Sequence, residues 1–443
     1  MHATGRRLVT LLIAAALGVA CSGNPAPVAS DCIKVVEESG QTDECLPIAP
    51  DSERVDLVTP AFSKPTPITN PLHPTSNVEQ VIMGGHVDAK PFRTEVTLLP
   101  GSKPIQFNGR TVDTAVIQYV AYSDGRIHEV AIDWYAQADD GSVWYFGEDV
   151  SNFEDGKVAD TKGTWMADDQ KPAAMIMPAK PVTGNVYRSE NAPGIAFEEV
   201  RVDKVDQQID GPSGKISGAI EVNELHMDGT REDKVFAPGY GEFSTGSPGG
   251  DLEAVSLAVP TDSRKGPAPA EFAALSHAVD GIYTADHSQM KAAASALTTA
   301  WEAMRVKGIP AQMDTQMQVD IDALNGAIGE QNTATQPAAL RIAQNELDLR
   351  LLYQPVIDVD LARLALWARQ LPVDVKADDS GLVLADEAAL ELVWERTNPG
   401  VRDPGAVDAA MQKLRQAADA DDLSAVDEAA TTLTRAVEGL HVR

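Results

Sequence analysis

The sequence predicts an α+β protein of two domains, an antiparallel β-meander that forms a half-barrel or sandwich followed by an all-α bundle of helical hairpins. Three observations predict it. Tight-turn signals recur through the first half, apolar residues at helical spacing fill the second, and a polar stretch with Pro and Gly, Thr261 to Pro269, divides them.

The turn signals are Asn108-Gly109, Asp124-Gly125, Asp140-Gly141 and Asp155-Gly156, spaced sixteen, sixteen and fifteen residues apart. Asn-Gly and Asp-Gly supply the positive φ that two-residue hairpins need. Between them the chain alternates, with Val130, Ile132, Trp134 and Ala136 on one face and Ala131, Asp133 and Tyr135 on the other. Further strands are expected at Phe197 to Val205 and Ile216 to Met227, and a bend at Pro238 to Gly241. These features assign residues 62–260 to the β-domain, 261–269 to a linker and 270–443 to the helical domain. In the helical part, Asp286, Asn332, Asp379 and Asp422 each precede an Ala-rich amphipathic stretch, a repeated pattern of cap and helix.

At the N-terminus Arg6 and Arg7 precede an apolar run from Leu8 to Ala20. Thirteen residues fall short of the about 20 that span a bilayer, so residues 1–20 are read as a cleaved export signal. The stretch Leu17-Gly18-Val19-Ala20-Cys21 resembles the lipobox of bacterial lipoproteins, with Gly18 at the place usually held by leucine. The resemblance implies diacylglycerol on Cys21 and anchorage at the outer face of the cytoplasmic membrane. Residues 21–61, rich in Pro, Ser and acids, are expected to be a tether. With Cys21 lipidated, Cys32 and Cys45 remain as an even pair in an oxidising compartment and are expected to form a disulfide.

The formal charge of −30 excludes nucleic acid as a partner and disfavours anionic headgroups. The run Asp133 to Asp149 (DWYAQADDGSVWYFGED), with Phe153 to Lys157 and Met175 to Ala179, is similar to a family of secreted bacterial β-domains of unknown function. The resemblance implies an antiparallel half-barrel or sandwich and no activity. The helical half is similar to Ala-rich domains of actinobacterial lipoproteins, again without assigned chemistry.

The aromatic set Trp134, Tyr135, Trp144, Tyr145 and Phe146 lies on strands paired across Asp140-Gly141. It reads either as sheet core or as one wall of a cleft for a lipid or another amphipathic ligand. Metal sites are weighed against simpler explanations. Acids Asp139, Asp140, Glu148, Asp149, Glu154 and Asp155 lack the spacing of a calcium loop, and turn geometry accounts for the Asp-Gly pairs. His287 with Met290, alongside Met313, Met317 and His277, has the helical spacing of a copper site, although methionine at that spacing more often fills a core. Asp314, Asp320, Asp322, Glu346, Asp348, Asp358 and Asp360 offer an iron or manganese set, with Arg350, Arg363 and Arg369 as competing ion-pair partners.

Catalytic signatures are missing from the chain: Gly-x-Ser-x-Gly, His-Glu-x-x-His, a phosphate loop and a dinucleotide fingerprint. Ser213 reads as a turn serine, and His128-Glu129 places neighbours on opposite faces of a strand. The expected function is therefore non-enzymatic: a lipid-anchored envelope protein, with no cofactor assigned, that binds a lipid or another envelope component. Metal capture through the helices is the alternative, and a hydrolase with its site between the domains, using His128 or His226, comes third.

Overall fold

Asn108, Asp124 and Asp155 take φ of 51°, 52° and 48°, and the glycines after them take 70°, 81° and 75°. These are the paired left-handed residues of two-residue hairpins, as expected from the sequence. At the fourth signal only Gly141 has positive φ, and the Asp140 carboxylate closes the turn by accepting from the Ser142 amide at 2.9 Å.

A computed structural model describes residues 32–37, 40–168, 171–247, 250–286, 288–330 and 335–443. Strands Gln80–Val87, Lys90–Leu98, Arg110–Ser123, Arg126–Gln137 and Val143–Glu154 lie side by side, antiparallel and in chain order. A second run follows, from Val186–Ala192 through Ala196–Gly211, Gly214–His226, Arg231–Ala237 and Gly241–Gly246 to Leu252–Val259. The last strand pairs with the first, Ala254 opposite Gly84, and so joins both runs into one fifteen-stranded sheet. The sheet is thus larger than the meander that the turn spacing outlines, because the pairing of Leu252–Val259 with Gln80–Val87 leaves no local turn signal.

Eight α-helices follow among the described residues: Ala270–Thr284, Met290–Arg305, Ala311–Glu330, Thr335–Arg350, Val356–Lys376, Ser380–Thr397, Gly405–Asp419 and Leu423–Glu438. Asp379 and Asp422 cap their helices as expected, accepting from Leu382 and Ala425 amides at 3.0 Å each. Consecutive helices pack on one another, and Ala311–Glu330 and Ser380–Thr397 pack on the sheet.

The shared core departs from the expectation of separate domains. Ile82, Val120, Ile127, Val130 and Leu257 from the sheet join Trp301, Leu324 and Val393 from the helices in a single buried cluster. Tyr122 stacks on Trp367, ring centroids 5.9 Å apart. Residues Ile33 to Arg443 accordingly form one compact unit. The stretch 261–269 is anchored rather than loose, since Asp262 is buried and accepts from the Tyr240 hydroxyl at 2.8 Å.

The expected tether is also partly folded. Cys32 and Cys45 are disulfide-bonded around the hairpin Lys34–Glu37 and Gly40–Cys45. Leu46, with Ile33, Val35 and Ile48 beside it, packs on Phe197 and Leu225 of the sheet. Ile33 with Val35 and Leu46 with Ile48 are two isolated apolar pairs, too short a pattern to mark a folded segment, so the stretch resembles a linker in sequence and behaves as part of the body. Cys21 and the export signal lie outside the described residues, among which no helix is long and apolar enough to cross a membrane.

Candidate functional site

Alternation along Arg126–Gln137 builds the site. Val130 points into the core shared with the helices, so Ala131, Asp133 and Tyr135 take the opposite face. On that face lies a cavity of about 230 Å³. Val96, Leu98, Ile117 and Tyr119 from the neighbouring strands line it, as do Phe236 and Glu253 from the far run. His73, Pro74 and Thr75 contribute from the connection before Gln80–Val87, Tyr240 and Gly241 from the bend foreseen at Pro238 to Gly241, and Glu242 from the strand that follows it.

A bulge shapes the wall beside it. Tyr145 pairs with Tyr135 and Glu148 with Asp133, so the strand Val143–Glu154 carries an extra residue there. Gly147 accommodates it at φ 120°, where a Cβ would stand 2.2 Å from the Trp165 carbonyl oxygen. The bulge brings Tyr145 onto Tyr135, rings stacked at 4.6 Å, and its hydroxyl donates to Asp133 at 2.8 Å.

Acids dominate the polar part of this face. Burial, with the Glu148 charge beside it, pushes the Asp133 carboxyl well above its usual range. Burial raises Glu253 to about 7, although the Thr94 hydroxyl donates to it at 2.5 Å. Glu148 and Glu190 hydrogen-bond to each other although their strands stand far apart in the pairing order. Burial raises Glu148 to about 7 and Glu190 well above the ordinary value. For Glu190 the nearby charges of Glu198 and Glu148 add to burial in favouring the protonated form.

A second group lies on strands Ala196–Gly211, Gly214–His226 and Arg231–Ala237. Lys234 Nζ stands 2.5 Å from Glu224, and His226 Nδ1 stands 3.3 Å from Glu198. Burial opposes both charges of the latter pair, but their mutual hydrogen bond prevails, raising His226 to about 10 and lowering Glu198 to about 2. Glu198, Glu224 and His226 present ligand atoms within 4.8 Å of one another. Such a trio suits a divalent ion only with a neutral imidazole. Here His226 is a cation, and the Lys234 ammonium already sits against Glu224, so the group is a self-neutralised ion cluster.

No protein-family model, curated protein or solved structure matches this chain. Its function must be read from the chemistry of its own residues.

Of the aromatic set, Tyr135 lines the cavity and Tyr145 supports it from behind. Trp134 lies under the Lys103 ammonium at 3.3 Å, Trp144 donates its Nε1–H to Ser142 at 2.9 Å, and Phe146 packs edge-on against Phe62 and Phe107. These three are core residues. Their alternation with Tyr135 and Tyr145 sends them elsewhere, which strand periodicity alone foretold for Trp134.

Among the helical candidates, His287 lies outside the described residues, Met290 is half-buried against the helical core, and Met313 and Met317 are buried within it. His277 is exposed. The carboxylates pair with arginines: Asp348 with Arg93 and Arg363, Asp360 with Arg363 and Arg396, Asp320 with Arg341, Glu346 with Arg350, Asp314 with Arg305. Asp322 accepts from Gln318, and Asp358 sits in the first turn of its helix. Of the calcium candidates, Asp139 accepts from Ser63 and Asp155 holds a hairpin turn. His128 is exposed, its ring set edge-on to Phe92.

Glu190, Glu198, Glu224 and Glu253 escaped the sequence reading. Their signal is a carboxylate at an inward position of a strand whose other inward residues are apolar, as with Glu198 before Val200 and Val202.

Proposed function

We propose that the chain is a non-enzymatic envelope lipoprotein, anchored through Cys21 outside the cytoplasmic membrane, whose curved β-sheet binds a small amphipathic ligand. The observation that carries the reading is the cavity on the sheet face turned away from the helices, with apolar walls and a few convergent polar groups. That combination is the usual make-up of a small-molecule site. In this reading the sheet is a half-barrel, consistent with the Glu148–Glu190 hydrogen bond between strands remote in the pairing order. The helical hairpins serve as its rigid back. The signal at residues 1–20, the lipobox ending at Cys21 and the disulfide support an exported location.

The test is native mass spectrometry of the mature protein purified gently and without chelator. A small-molecule mass retained by wild type and absent from a cavity-filled Val96→Trp variant supports the binding role. Stoichiometric metal on the protein instead would favour metal capture. Replacing Cys21 with alanine should release the protein from the membrane fraction, and unchanged fractionation contradicts the anchor.

A further inference from the structure

We infer that the cavity takes a cationic amphiphile, an apolar chain or ring that carries an ammonium group. This deepens the binding role proposed above and rests on it. The walls are apolar, yet every charge-bearing side chain among them is a carboxyl: Asp133, Glu242 and Glu253. The remaining titratable groups are the phenols Tyr119, Tyr135 and Tyr240 and the imidazole His73. Burial lowers His73 to about 4, so it is neutral at physiological pH. Among the described residues no lysine or arginine lines the space.

The nearby cations are engaged elsewhere. Lys234 is held by Glu224 at 2.5 Å and reaches the lining Glu242 at 3.7 Å, so Glu242 is already partly compensated. Arg93, on the strand that also supplies Val96 and Leu98, pairs with Asp348 of the helices at 2.6 Å, behind the sheet. An anionic headgroup would therefore meet Asp133 and Glu253, which no described lysine or arginine pairs, and a neutral hydroxyl would gain only an ordinary hydrogen bond. An ammonium gains charge-assisted bonds, the stronger kind. It also favours the ionised form of each carboxyl it faces, so the raised acids release protons as the cation binds. Affinity for a cation should then climb with pH through the range near 7 where Glu253 titrates.

Three probes that share one tail separate the possibilities: octylamine, octanol and octanoate, titrated calorimetrically into the full mature protein at pH 8 and pH 5. The expected result is octylamine binding about tenfold or more tighter than octanol, octanoate weakest, and the amine preference shrinking at pH 5. In Glu253→Gln and Asp133→Asn the preference for octylamine over octanol should fall. Octanol or octanoate equalling the amine would overturn the inference and leave the cavity reading standing. A preference undiminished in both variants would also overturn it, since the carboxyls would not be its source. Failure of all three probes to bind removes the cavity reading itself.

Discussion

Arg396, near the end of helix Ser380–Thr397, donates to Glu95 in the middle of strand Lys90–Leu98 at 2.6 Å, across 301 residues of sequence. The same guanidinium bonds Asp360 at 2.7 Å, and Arg93, Arg363 and Asp348 complete a buried group of three cations and three anions. Burial alone would raise the Glu95 carboxyl, but Arg363, Arg396 and Arg93 hold it well below the usual range. This network fastens the sheet to the helices. Removing one member leaves buried opposite charge uncompensated, at a cost of about 3–5 kcal/mol. Arg396→Met should therefore lower the urea-unfolding free energy by about that amount, in one transition seen alike by tryptophan fluorescence and far-UV circular dichroism. A loss below about 1 kcal/mol would mean the network is solvated in solution.

The N-terminal hairpin gives a local test. The Cys32–Cys45 disulfide restrains a segment whose own apolar anchor is small, Leu46 with its few neighbours. By the loop-entropy argument a closed loop of this size contributes about 3 kcal/mol. In the Cys32→Ala, Cys45→Ala double variant, tryptic cleavage after Lys34 should accelerate about a hundredfold while the thermal midpoint of the body stays close to wild type. Equal cleavage rates would show that packing, not the disulfide, holds the hairpin.

The raised acids set a direction for pH dependence. Glu148, Glu224 and Glu253, each raised to about 7, bind protons more readily folded than unfolded. Their contribution is therefore most favourable below the unfolded value near 4.5 and is lost as pH rises to about 7. Glu198 works oppositely, losing stability as pH falls from 4.5 through about 2. The ligand-free protein should accordingly melt higher at pH 5 than at pH 8. Glu253→Gln should raise the midpoint at pH 8 and leave it nearly unchanged at pH 5; a midpoint insensitive to this substitution at both values contradicts the burial of that acid.

Much of the architecture was legible because it is local. Asn108, Asp124 and Asp155 declare their turns through a requirement for positive φ, and Asp379 and Asp422 declare their helix starts through capping. What escaped is non-local. Pairing of Leu252–Val259 with Gln80–Val87 depends on residues far apart in the chain, as does the fusion of both parts through Tyr122 and Trp367. The site was half legible: alternation placed Asp133 and Tyr135 on one face, but the Gly147 bulge that turns Tyr145 and Glu148 toward them breaks the period. The helical acids resemble a metal set in sequence because arginine partners such as Arg93 and Arg396 come from segments that sequence spacing cannot bring together.

The most direct test of the cavity as a binding site uses its own methionine. Met83 lines the space, whereas Met313 is buried in the core shared with the helices. In a protein labelled at methionine methyl carbons, octylamine should shift the Met83 resonance along a saturable curve and leave Met313 in place, and Val96→Trp should abolish the shift. An unmoved Met83 signal at saturating probe, in a protein whose spectrum is otherwise well dispersed, would contradict the account.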